Sequence, residues 1–380
     1  MNDSFFNSEI MTEAVDLAEQ HRKVLHEMPE KAFEERETTS YIKRVCADYP
    51  AEEIDLGMET GAVFYLDAGC DETVALRADI DALPTEEGAR HLCGHDAHAA
   101  TMLGAMHYLC AIKDELPFNV LFIFQPAEEG THGAREMLDH GLLEKAPQRP
   151  VRMFGIHNRP EIICGDVVVH RGPLMSEKSV FRISYAGVTG HASLPHKCVD
   201  PVVASAALVS GIQTISSRNT DPFKPVICSV NSIRAGREDI AVPADAVITG
   251  YIRSFDHDTH IRMEERLRRL AESTADAYEC SCSTEVTRMV PAVDNPEELY
   301  EIALKAAEAA AGREHVTDSE ACLASEDFAV FGKELPAFFY WAGSGSPGRD
   351  NAPWHDPAFS IDPHYLETAV PLLCAAAMTE

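Results

Sequence analysis

No stretch of this sequence stays apolar for the ~20 residues that a bilayer crossing needs, so a membrane-spanning helix is not expected. The first thirty residues have no basic stretch leading into an apolar core, so a secretory signal is not expected either. Internal repeats and low-complexity segments are absent, which removes solenoid architectures. Positive charge is scarce: 32 Lys and Arg face 62 Asp and Glu, for a net charge of −30. Such a chain repels nucleic acid and anionic membranes, and neither is expected as a partner. Eleven cysteines, an odd and scattered set, do not make a disulfide framework. They read as reduced thiols of a cytoplasmic protein.

What is present points to an enzyme-sized globular chain. At 380 residues it exceeds the length at which one core stops growing, so two domains are expected. Amphipathic periodicity predicts helices over 9–28 and 35–47. The runs "AVFYLDAG", "TVALRADI", "NVLFIFQP" and "VRMFGIHN" follow as strands, with "AHAATMLGAMHYLCAI" as a buried helix among them. This alternation predicts an α/β catalytic domain: a mostly parallel sheet with helices on both faces. After "HRGPLMSEK" the order becomes β-α-β-β-α-β, the ferredoxin-like unit. The expected division is 1–176 as the first part of the catalytic domain, 177–284 as an inserted α+β lid and dimerisation domain, and 285–380 as its second part.

The chemistry collects where those strands end. "LRADIDALP" brings Asp79 and Asp81 to one strand end, "FQPAEEG" brings Glu128 and Glu129 to another, and "FGIHN" brings His157 to a third. Open α/β sheets bind ligands beyond the carboxyl ends of their strands. "HLCGHDAHAA" adds Cys93 and His95 at the start of a helix, and "APWHDPAFS" adds His355 from a late loop. Each has a plainer reading taken alone: a buried cysteine, a solvated helix start, a capping aspartate. Together, thiolate, imidazole and carboxylate are ligands for Zn²⁺, with Mn²⁺ favouring the oxygens. So many such groups exceed the needs of one catalytic ion and suit a pair of ions sharing a water.

These stretches, with "GHASLPH" and "SEDFAVF", resemble the aminoacylase–carboxypeptidase G metallopeptidase family. The match is to its amidohydrolase branch, the type of hippurate hydrolase, auxin-conjugate hydrolase and N-acetyldiaminopimelate deacetylase. The resemblance runs from about His21 to the C-terminus, and Arg77-Ala78-Asp79 stands where other relatives have a His-x-Asp ligand pair. It implies a di-metal peptidase-like catalytic domain holding two divalent ions, Mn²⁺ or Zn²⁺, with Co²⁺ and Ni²⁺ as further candidates. Cys93, His95, Glu129, His157 and His355 match the ligands. Glu128 matches the general base acting on the bridging hydroxide's parent water, and Asp79 the aspartate that supports the metal site. His191 matches a lid histidine that stabilises the oxyanion, and Arg253 a lid arginine that grips a substrate carboxylate.

The activity so implied is cleavage of a small N-acyl amino acid to a carboxylic acid and an amino acid, by a homodimer joined through the inserted domain. A dipeptidase or aminoacylase of the same fold is the near alternative, and a non-catalytic metal-binding protein or a thiol-redox protein using Cys93 the distant ones. Two departures bear on the substrate. Relatives carry a longer segment where this chain has only "TEEGARH", and Ile240 stands where they place a carboxylate-binding asparagine.

Overall fold

A computed structural model of the chain describes residues 6–130, 132–236, 241–319 and 321–380. The chain divides into two compact units. One comprises Met1–Leu174, Asp294–Glu320 and Asp327–Glu380, the other Met175–Val293 and Ala321–Glu326.

The first unit is built on an eight-stranded sheet. Its spatial order is Glu52–Glu53, Ala62–Leu66, Asn119–Gln125, Thr73–Asp79, Arg152–Ile163, Ala337–Gly345, Val167–Val168, Val316–Thr317. The four strands in the middle run parallel to one another. Every residue of Thr73–Asp79 and Asn119–Gln125 is buried. That is the signature of a strand covered on both faces, and it explains why these runs show no alternation in the sequence. Parallel pairing aligns the strands' carboxyl ends, setting Asp79 opposite Gln125 and His157 opposite Trp341.

The expected helices run Ser8–His26 and Arg36–Cys46. Asn7 caps the first by accepting the Ile10 N–H. The second is capped from six residues upstream, because the Glu30 carboxylate receives the N–H groups of Arg36, Glu37 and Thr38. The helix His95–Ala111 is buried nearly all round, packed against Ser8–His26 and Leu366–Met378. Gly104 allows the first of these contacts, since a Cβ there would come within 2.8 Å of the Ala14 carbonyl.

In the second unit, four antiparallel strands lie in the order Val226–Ala235, Asp245–Ser254, Glu177–Ala186, Ser281–Val290. The helices Pro201–Asn219 and His257–Ala277 pack on the sheet, burying Phe181, Ile183 and Tyr185 beneath Leu208 and Leu267. Asp200 and Asp256 cap the two helices through their side chains. Among the described residues no helix is long and apolar enough to cross a membrane.

Candidate metal centre

The sequence-predicted ligands converge in the first unit. Ligand atoms of Cys93, Glu129 and His355 lie within 4.8 Å of one another, and so do those of His95, Glu128 and Glu129. Glu129 belongs to both groups. His157 closes the set, its Nε2 3.5 Å from the Cys93 sulfur.

Each side chain has a local reason to be there. Gly94 takes φ +90° at the head of the His95 helix. A Cβ there would stand 2.5 Å from the Asn158 side chain, so only glycine turns the chain between Cys93 and His95. The Glu128–Glu129 turn follows the strand Asn119–Gln125 and is held from two directions. Asp81 accepts the Glu129 N–H at 2.9 Å, and buried Glu35 accepts the Ala127 N–H. His355 also takes a left-handed φ of +68°, its own N–H bound to the Leu92 carbonyl. Between Asp81 and Cys93, the short "TEEGARH" segment folds as a tight hairpin, Leu83–Thr85 against Gly88–Arg90.

Hydrogen bonding sorts ligands from supports. His95 Nδ1 donates to Asp81 at 3.1 Å, and His157 Nδ1 donates to the Asn158 carbonyl at 2.7 Å. Both rings therefore turn Nε2 inward, with the tautomer fixed by the outer bond. His98 is different. Its Nδ1 donates to Asp79 at 2.6 Å and its Nε2 accepts the Asn158 N–H at 3.0 Å, so neither nitrogen is left for an ion. Asp79 is spent on His98 and on Arg77 Nη1, 2.8 Å away. The buried Arg77 guanidinium also reaches Gln125 and Asp327. The Arg77 guanidinium neutralises Asp79 and Asp327 below the centre.

His98, Asn158, Asp81 and Glu35 were not singled out from sequence as site residues. Asp81 was visible at its strand end. The others have no local signal, because their partners lie far along the chain.

Charge accounts for the titration of the centre. Burial alone would lower the His95 imidazole, but Asp79, Asp81 and Glu129 outweigh it and lift it to about 10. Burial, reinforced by Glu129, Glu128 and Asp79, pushes the Cys93 thiol well up. Burial, with His98 nearby, depresses His157. Burial would raise Glu129, yet His355 and His95 hold it down.

The donor set fits a cation. Among the described residues, His95 Nε2 and Glu129 Oε1 are buried without a hydrogen-bond partner. His355 Nε2 approaches that oxygen to 3.3 Å without hydrogen-bond alignment. Buried polar atoms are ordinarily satisfied, and two facing orphans amid thiol and imidazole are what a metal site presents when its ligands are in place.

The remaining predicted residues lie in the second unit. His191 sits on the two-residue strand Gly190–His191, paired with Ala241–Val242. Its Nδ1 accepts the Ser193 N–H, which leaves the ring proton on Nε2. Arg253 lies over the Tyr251 ring and gives Nη1 to the Leu323 carbonyl at 2.7 Å. Ile240 lies outside the described residues.

What the fold and the centre define is an enzyme of the amidohydrolase class. Residues 75–379 match Peptidase family M20/M25/M40. An N-acetylcysteine deacetylase of Bacillus subtilis (strain 168) is 34% identical over 361 residues, 92% of each chain. An N-acetyldiaminopimelate deacetylase of Listeria monocytogenes is 32% identical over 340 residues, 86% of this chain and 90% of the relative. A solved Bacillus subtilis structure, described as a dinuclear metal-binding peptidase of family M20, is 30% identical with a TM-score of 0.82 and covers 98% of both chains. The chain belongs to the M20/M25/M40 peptidase family.

Proposed function

We propose that this protein hydrolyses the amide bond of an N-acyl amino acid, using two divalent ions held by Cys93, His95, Glu129, His157 and His355. The observation that carries the reading is the pair of buried, unpartnered ligand atoms, His95 Nε2 and Glu129 Oε1, in one cluster with Glu128. The relatives named as deacetylases of N-acetylcysteine and N-acetyldiaminopimelate support the substrate class.

A bound ion pair supplies Lewis acidity, which polarises the amide carbonyl and makes a water acidic enough to lose a proton near neutral pH. Glu128, 5% exposed and beside the ligand cluster, takes that proton and returns it to the departing amine. His191, with its ring proton on Nε2, donates to the developing oxyanion, a contact worth about 3–4 kcal/mol. Arg253 contacts the substrate carboxylate through the nitrogens that Leu323 leaves free. Asp81 and Asp79 keep the imidazoles in register rather than touching substrate.

The soft sulfur of Cys93 and the imidazoles suit Zn²⁺, and the carboxylates suit Mn²⁺. A homodimer pairing through the exposed edges of the four-stranded sheet, in the cytoplasm, completes the reading. The test is a mass-spectrometric screen of metal-loaded protein against acetylated and benzoylated amino acids and dipeptides, with Glu128→Gln alongside. The expected outcome is hydrolysis by the wild type, reversible loss on chelation, and a fall of at least ~10³-fold in Glu128→Gln with metal content intact. Unchanged turnover in Glu128→Gln removes the proposed base.

A further inference from the structure

Arg159 lies two residues beyond His157 on the strand Arg152–Ile163, in regular register with Gly343. Successive residues of a strand alternate faces, so the two side chains leave the same face about 7 Å apart. The Arg159 guanidinium sits 5.3 Å from the centre of the Trp341 ring, and that ring flanks His157 at 5.8 Å. Trp354, the neighbour of His355 in the chain, closes on the same imidazole at 5.2 Å and on Trp341 at 5.5 Å. Arg159 thus shares an aromatic wall with the metal centre.

Its hydrogen bonding is incomplete. Nε and Nη1 are sealed from solvent and, among the described residues, make no hydrogen bond. The Glu161 carboxylate, 54% exposed, stands 3.5 Å from Nε but makes no hydrogen bond to it. An arginine is always charged, and buried donors of a charged group are normally met. Nε serves the side edge of the guanidinium fork and Nη1 the end edge, so each edge has an unmet donor. A planar two-oxygen anion is the ligand such a fork matches. Arg253 offers less, with Nη1 already committed to Leu323.

We propose that Arg159 is a specificity-determining residue that binds the α-carboxylate of the N-acyl amino acid from within the metal-bearing unit. The inference deepens the amidohydrolase reading and rests on it for the identity of the anion. A carboxylate offers about four lone-pair sites, so one contact from Arg159 leaves others open.

The test compares each free acid with its primary carboxamide, which keeps shape and removes charge. Three pairs serve: N-acetyl-L-cysteine, N-acetyl-L-methionine and N-benzoylglycine, each against its carboxamide. The wild type is expected to prefer the acid by about 100-fold in kcat/KM, mostly through KM. In Arg159→Met that ratio collapses toward one, in Arg159→Lys it falls partway, and in Glu161→Gln it rises because a competing carboxylate is gone. Metal content is measured on every variant, so a lost site is recognised as such. Equal losses on acid and carboxamide would make Arg159 a brace for Trp341 and overturn the proposal. So would a wild type with no preference, or a preference erased by Arg253→Met and kept in Arg159→Met. Should no N-acyl amino acid be hydrolysed, the amidohydrolase reading fails. Calorimetric binding of the same pairs then decides Arg159 by the same ratio.

Discussion

The carboxylate of Glu35 accepts the backbone N–H of Ala127 at 2.8 Å across 92 residues of chain, holding a non-glycine residue at φ +56° just before Glu128. Left-handed backbone at an alanine persists only when its surroundings over-determine it. Glu35 is fully buried, and its second oxygen has no hydrogen-bond partner among the described residues. Burial, with Asp81 adding to it, pushes its carboxyl up to about 7 from 4.5. Between those values the fold keeps a proton that the unfolded chain has released, so stability falls as pH rises through the window and levels off above it. Urea unfolding of chelator-treated protein at pH 5 and 8 should show a larger loss in the wild type than in Glu35→Gln, the difference being up to about 3 kcal/mol. Parallel pH responses would contradict it. Glu35→Ala should cost about 1–3 kcal/mol at either pH, by orphaning the Ala127 N–H.

Metal uptake should release protons. Without ions, Cys93 is held as the thiol by burial and neighbouring carboxylates, and His95 is held protonated up to about 10. Ligation requires both deprotonated, so filling the centre at pH 7 should expel about two protons. Affinity should therefore rise between pH 7 and 9. Calorimetry of Zn²⁺ binding in buffers of different ionisation enthalpy counts the protons, and a count of zero would refute the assigned ligands.

Asn158 joins more of the centre than any ligand does. Its side chain binds the Cys93 carbonyl and accepts from Ser344, and its N–H fixes His98. Asn158→Ala should weaken metal affinity ~10–100-fold and leave the fold's helical signal intact. Competition with a fluorescent chelator reads this directly. Wild-type affinity in the variant would show that the Asn158 side chain is not needed to place Cys93.

Gly94→Ala combines a left-handed φ with clashes of 2.5 Å on Asn158 and 2.6 Å on Ile361. It should lose several kcal/mol of stability and most bound metal, as measured by thermal unfolding and metal analysis.

Much of this architecture was legible in the residues. Strand runs ending abruptly in polar groups announced both the parallel sheet and the edge where ligands gather, because a parallel sheet aligns those ends. Adjacent Glu128 and Glu129, and Cys93 beside His95, sit close enough in sequence to be read as constellations. His98 did not announce its role. Whether its ring ligates an ion or steadies Asp79 depends on the Asn158 N–H, 60 residues away. Asp327, in "SEDFAVF", accepts from Arg77, Gln125 and the Ala134 N–H, partners 193 to 250 residues away that the local sequence does not show. Arg159 carried no signal at all, since an unmet donor becomes visible only when its neighbours are known.

The sheet order has a consequence for synthesis. The strand bearing His157 is flanked on one side by Ala337–Gly345, which the ribosome makes only after the entire second unit. Until then a strand of twelve residues presents an open edge, the kind of surface on which nascent chains pair wrongly with one another. His355 emerges later still, so a chain not yet translated past it cannot assemble the complete ligand set, and cation capture would report that synthesis has passed His355.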